Sequence, residues 1–156
     1  MTRLSAVEIV VARPRHVGTI AARMRDIDRE ECEAVGPSPK MALRMGLWYS
    51  RNAWTAMVDG RPEAMFGLVE TSALTGAGSP WFLGTDEVYR HGKALLSWGP
   101  AFVSIMRDSS PRAANLVSAN NTKAIRLLKK WGFDVKPETE THGGVDFRKF
   151  ELCATL

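Results

Sequence analysis

Residues 53–74, AWTAMVDGRPEAMFGLVETSAL, read as two strands folded back on one another. Asp59-Gly60 supplies the turn, because this pair tolerates the positive backbone angles that a two-residue hairpin needs. The strands are expected over 53–58 and about 63–72. A lone hairpin is only marginally stable, so the fold depends on what flanks it.

Upstream, VEIVVARP (7–14) alternates and is β-branched, which predicts a strand. Pro14 suits a first helical turn. A helix follows to about Val35, with Val17, Ile20, Ala21, Met24 and Ile27 recurring at three and four. Its charged face carries Arg23, Arg25, Asp26, Arg29 and Glu30. GPSP (36–39) breaks it, and Ser38-Pro39 starts a second helix through Met41, Met45 and Trp48.

Downstream, TGAGSP (75–80) is a loop without the Lys-Ser/Thr of a phosphate loop. A short buried strand is expected over 81–84. A long helical pattern then spans about 88–106, with Leu95, Leu96, Trp98, Phe102 and Met106 toward the core. Gly99-Pro100 should kink or break it, because proline removes a donor and crowds the preceding turn. Residues 114–120 form a strand. A further helix leads to two closing strands, DVKPETET and VDFRKFELC, joined at Gly143-Gly144. The order β-α-α-β-β-β-α-β-α-β-β predicts a single α+β domain over 1–156. Its mixed, mostly antiparallel sheet should have about six or seven strands and about four flanking helices.

Length and composition agree with one domain: 156 residues, 45% hydrophobic and 24% charged. The net charge of +4 fits a polyanionic ligand and equally an ordinary basic surface. Cys32 and Cys153 form no CxxC pair, and His16, His91 and His142 are scattered, so neither a disulfide framework nor a metal site is expected. No apolar run reaches membrane-spanning length, and a soluble intracellular protein is the expectation.

SANNTKAIRLLKKWGFDV (118–135) is the most informative motif. Asn120 or Asn121 can cap the helix start. Ala124, Leu127, Leu128 and Trp131 make one core-facing stripe. Lys129 and Lys130 suit the negative end of the dipole, and Gly132 with Phe133 gives a left-handed stop. Helix physics alone accounts for these residues. The combination Asn121-x-x-Ala124-Ile125-x-Leu127, then Lys129-Lys130-Trp131-Gly132-Phe133, also resembles the last conserved helix of the GNAT acetyltransferases, and the element order is theirs.

That resemblance implies a GNAT-like fold whose sheet splays between its fourth and fifth strands and holds acetyl-CoA there. Pantetheine would pair with backbone of Phe82, Leu83 and Gly84. The pyrophosphate would meet Arg90, His91, Gly92 and Lys93 at the following helix start, with Asn121 and Lys123 on the last helix. Trp81 to Phe133 further resembles the internal virion protein A family of short-tailed phages. This implies a phage-encoded protein with phage or host protein partners, in the host bacterial cytoplasm or associated with the virion.

Two departures bear on activity. Arg90-His91-Gly92-Lys93-Ala94 is one residue shorter than the GNAT phosphate loop, and its charges also fit a solvated first turn. The position of the family's proton-donating tyrosine holds Leu128. Glu70 and Asp86 are the candidate bases, with a strand-end carboxylate and a helix cap as their structural alternatives. The basic face of Lys123, Arg126, Lys129 and Lys130 reads as solvated rather than specific for nucleic acid. Two functions follow: a virion protein with a degenerate acetyl-CoA site, or an active acetyl-CoA-dependent N-acetyltransferase. An open groove would support the second; one plugged by Trp81, Phe82 or Trp98 would support the first.

Overall fold

The computed structural model describes residues 7–153. Strands β1 (Val7–Val11), β2 (Ser50–Val58), β3 (Arg61–Glu70), β4 (Gly78–Gly84), β5 (Arg112–Ser118), β6 (Asp134–His142) and β7 (Val145–Cys153) form one sheet. Its spatial order is β1-β2-β3-β4-β5-β7-β6. The Asp59-Gly60 turn has φ of 48° and 80°, as the hairpin reading requires.

Helices cover both faces. Residues alternate sides along a strand, and β3 is buried on both. Ala64, Phe66 and Leu68 pack with Phe102 and Met106 of α5 (Gly92–Ser109) and Ile125 of α6 (Thr122–Trp131). Met65, on the other face, packs with Ile20 of α1 (Val17–Ala22) and Leu43 of α3 (Pro39–Tyr49).

The α+β, GNAT-like reading holds, with seven strands. The helix count differs because two expected helices are each divided. Residues 14–35 form a 3-10 turn (Pro14–His16), then α1, then α2 (Asp26–Val35). The break falls at 23–25, where the chain is captured by the end of β4. Met24 bridges Thr85, and the Arg25 N–H donates to the Gly84 carbonyl at 3.0 Å. This tertiary contact overrides the helical period.

The second helix divides into α4 (Asp86–Tyr89) and α5, with the break at Arg90-His91 and not at Pro100. Pro100 is exposed and sits inside an unbroken α5. The carbonyl it leaves without a partner belongs to half-exposed Leu96, where water can serve it. Leu96 therefore faces outward rather than into the core. Gly99 is required by packing: a Cβ there would lie 2.3 Å from Trp131 Cδ1.

Helix α6 follows its sequence grammar. Asn121 caps it by accepting the Ala124 N–H, Gly132 is left-handed with φ 100°, and the Phe133 N–H returns to the Leu128 carbonyl. The expected stripe of Ala124, Leu127, Leu128 and Trp131 is only half-buried, while Ile125 is fully packed. The reason is that the stripe faces a cavity.

Candidate functional site: the cleft between β4 and β5

β4 and β5 run parallel and share one paired position, Gly78 with Ala113. Beyond it they diverge, so one edge of β4 faces a gap. The hydrogen bonds fix which residues look into it. The Pro80 carbonyl accepts Asn115 Nδ2 at 2.8 Å. The Gly84 N–H donates to Asp28 Oδ2 at 3.0 Å, and its carbonyl accepts Arg25 N–H. Positions 80 and 84 thus face the gap, and the two-residue period places the Phe82 N–H and C=O there too. Pro80 has no N–H and that of Gly84 is taken. The Phe82 amide is what this stretch offers a bound group.

The gap is an open cavity of about 450 Å³. Trp81, Met45, Tyr49 and Val35 line it toward α2 and α3; Tyr89, Leu127, Leu128 and Trp131 line it toward α4 and α6. Trp81 and Phe82 are walls rather than plugs. Trp81 is pinned by its Nε1–H to Ser50 Oγ at 2.7 Å and lies against Gly46, where a Cβ would approach within 2.6 Å. Phe82 stacks on Phe66 with centroids 5.5 Å apart. Trp98 does not line the cavity. Among the described residues Glu31 is the only charged side chain that does.

A buried polar network spans the wide end of the gap. Arg25 pairs with Asp28 at 3.0 Å and donates to Asn121 Oδ1 at 3.2 Å. Asn121 Nδ2 donates to Glu31 Oε1 at 2.9 Å, which also accepts the Ser118 N–H at 3.0 Å. The Arg25 guanidinium lies 4.1 Å from the Tyr89 ring centroid. One helix thereby ties the end of β4 to the end of β5 and the cap of α6. Burial raises the Asp28 carboxyl to about 7, against the pull of Arg25 and the Gly84 N–H. Burial also raises Glu31, despite the bonds from Asn121 and Ser118. The Cys32 thiol is pushed up to about 12 by burial and by Asp28 and Glu31, which makes it unreactive. Burial likewise raises the Tyr89 hydroxyl, so it stays protonated at neutral pH.

Phe82, Leu83 and Asn121, expected to contact the cofactor, line the cavity. Gly84 is at the wide end but engaged by α2. Arg90, His91, Gly92 and Lys93 sit together where α5 begins, outside the cavity lining. Arg90 is 73% exposed and pairs with Glu87 at 2.8 Å, and His91 lies 3.4 Å from the same carboxylate. No side chain caps this start. A Cβ on Gly92 would meet nothing within 4 Å, and its φ is not positive, so the fold itself does not demand glycine there. Lys123 is exposed on the first turn of α6 and does not line the cavity.

Glu70 lies opposite Gly78, at the narrow end, ion-paired with Arg51. Val69 and Thr71 on either side line the cavity and Glu70 does not, as alternation requires. Asp86 is exposed, 3.8 Å from Arg25. It is not the helix cap: Thr85 holds that position and turns its hydroxyl to Glu63. Arg25, Asp28, Glu31 and Tyr89 were not singled out from sequence as site residues. The first three show only charge along a helix, which a solvated face shows equally, and Tyr89 carries no signal. Among the described residues no cluster of His, Cys, Asp and Glu suits a metal, and no helix is long and apolar enough to cross a membrane.

The splayed sheet, its strand order and the helix pair that follows define the GNAT acetyltransferase fold, and solved structures agree. Ard1 from Thermoplasma volcanium matches with a TM-score of 0.68 and 15% identity, over 97% of this chain and 99% of that one. The ribosomal-protein-S18-alanine N-acetyltransferase from Escherichia coli matches with 0.65 and 15%, over 97% and 96%. RimL, a ribosomal L7/L12 α-N-protein acetyltransferase solved with coenzyme A, matches with 0.64 and 10%, over 95% and 94%. No family model and no curated protein matches the chain. The resemblance to internal virion protein A gains no support from these comparisons.

Proposed function

We propose that the chain is an acetyl-CoA-dependent N-acetyltransferase. The carrying observation is the open cleft: β4 and β5 part after one pair, and the cavity between them has the Phe82 amide on its wall. This supports the enzyme over a degenerate site. The GNAT-fold neighbours, one of them solved with coenzyme A, support the same reading.

The residues present fit acetyl-CoA. The apolar walls suit a pantetheine arm. The Phe82 N–H and C=O can pair with it as a strand would, and the N–H can stabilise negative charge on the thioester oxygen. The uncapped start of α5, with open space at Gly92 and with Arg90 and Lys93 beside it, suits the pyrophosphate. Bound there, acetyl-CoA supplies an activated acyl group on a thiol leaving group. A thiol has a pKa near 8.5, so the thiolate can depart with Leu128 at the position that offers no proton.

Calorimetric titration with acetyl-CoA tests this. Binding in the micromolar range is expected, weakened at least about tenfold by Arg90→Ala with Lys93→Ala and by Phe82→Pro, which removes the amide. Absence of binding at millimolar acetyl-CoA would overturn the proposal.

A further inference from the structure

We infer that Glu31 receives the acceptor's amino group, and that the acceptor is a polypeptide whose amino-terminal residues are apolar. This rests on the acetyltransferase reading above. Among the described residues Glu31 is the only charged group lining the cavity, and no Lys, Arg or His among them lines it. Its two hydrogen bonds both come from neutral donors, the Ser118 N–H and Asn121 Nδ2, and both go to Oε1. It makes no ion pair among the described residues, although Arg25 lies near enough to be felt. A desolvated carboxylate without a contacting cation attracts an ammonium group. The other titratable groups around it are Arg25, Asp28, Glu30, Cys32 and Tyr89. β5 and α6 bring only neutral donors. Burial holds its carboxyl above the usual range, the direction that makes a carboxylate a better base.

The acceptor's body is read from the rim. Met41, Met45, Trp48 and Tyr49 recur at i, i+4, i+7 and i+8, one stripe of α3, and they are 41%, 41%, 63% and 63% exposed. Val35, at the end of α2, is 59% exposed. Met45, Tyr49 and Val35 also line the cavity, so apolar surface runs unbroken from Glu31's chamber to the outside. A patch of this kind marks a binding surface. The thioester arm takes part of the 450 Å³, so only the acceptor's amino end fits inside and the residues behind it lie on α3. A polycationic acceptor would have one carboxylate and no second one in the cavity. In the step itself, the ammonium gives one proton to Glu31. The nitrogen lone pair forms a C–N bond to the thioester carbonyl carbon as the C–S bond breaks. The remaining surplus proton passes through water to the thiolate, giving free CoA, and Glu31 returns its proton to solvent.

The test first titrates the full chain with acetyl-CoA, then follows thiol release with four acceptors. These are an octapeptide beginning Met-Leu-Phe, one beginning Asp-Glu-Asp, phenethylamine and an aminoglycoside. The apolar peptide should be the preferred acceptor. Glu31→Gln should lower its kcat/KM about 100-fold and abolish the acid limb of the pH profile, with acetyl-CoA affinity within about twofold. Met41→Ser with Trp48→Ser, both outside the cavity, should raise the peptide KM about tenfold and leave kcat unchanged. The inference is overturned if the acidic peptide, the small amine or the aminoglycoside serves as well, if Glu31→Gln stays active, or if the rim pair has no effect on KM. Binding of acetyl-CoA without transfer to the apolar peptide overturns it and leaves the broader proposal standing. Absence of acetyl-CoA binding overturns both.

Discussion

On the α5–α6 side of the cleft the important features are local. Asn121 caps a helix three residues on, Gly132 ends it, and Gly92 opens another. On the α2–α3 side they are long-range. Arg25 reaches Asn121, 96 positions away, and Asp28 reaches Gly84, 56 away. Under the proposed function, the first side would hold acetyl-CoA. The second carries a charged clasp, one cavity carboxylate and an apolar rim, which would select the acceptor. The lesson is that a common half is written in short motifs, and a particular half in residues that acquire meaning only when the sheet splays.

The strongest way to break this comparison is at the clasp. Arg25→Ala leaves Asp28 buried without its cation and removes a donor from Asn121, and should cost about 3–5 kcal/mol of stability by denaturant unfolding. A loss under about 1 kcal/mol would mean that the clasp does not hold the two strands. Two glycines then separate the halves. Gly99→Ala forces a Cβ against the Trp131 ring, and should weaken acetyl-CoA binding about tenfold at a stability cost of about 1–3 kcal/mol. Gly46→Ala does the same to Trp81, and should raise the acceptor KM about tenfold while sparing acetyl-CoA affinity. Equal effects of both substitutions on both ligands would show that the cavity is not divided in function.

A smaller effect concerns pH. Asp28 titrates at about 7 in the fold and near 3.9 when unfolded, so between those values the folded chain holds the extra proton. Stability from this group is fully present below about pH 4, falls by up to about 1.4 kcal/mol per pH unit as pH rises, and is level above about 7. Asp28→Asn should flatten that fall in melting temperature between pH 5 and 7. An unchanged slope would mean that another group sets it. Smallest of all, Arg90→Ala alone should weaken acetyl-CoA only about threefold, because Arg90 is exposed and shared with Glu87.

These expectations also mark what was legible beforehand. The Asp59-Gly60 and Gly143-Gly144 turns and the stop at Gly132 use residues whose conformational preferences are intrinsic, and all three are found where the sequence puts them; of the two asparagines offered as cap, the structure uses Asn121. The break at Arg23–Arg25 was illegible, since Met24 keeps helical spacing and only the edge of β4 pulls it out. Pro100 misled in the opposite sense, because its cost falls on a wet face of α5. Arg25, Asp28 and Glu31 look like solvated charges at i, i+3 and i+6. Nothing local marks them as buried. Glu70 looked like a base because it ends a strand, but one step of the β alternation turns it away from the cavity.

The central claim is that the gap beside Phe82 is where the thioester arm lies. Backbone hydrogen exchange with and without acetyl-CoA tests it most directly. The account predicts new protection at the Phe82 amide and at the first-turn amides of Gly92, Lys93 and Ala94, with little change along the distant β1–β2 pair. Binding that leaves those four amides unprotected would contradict it.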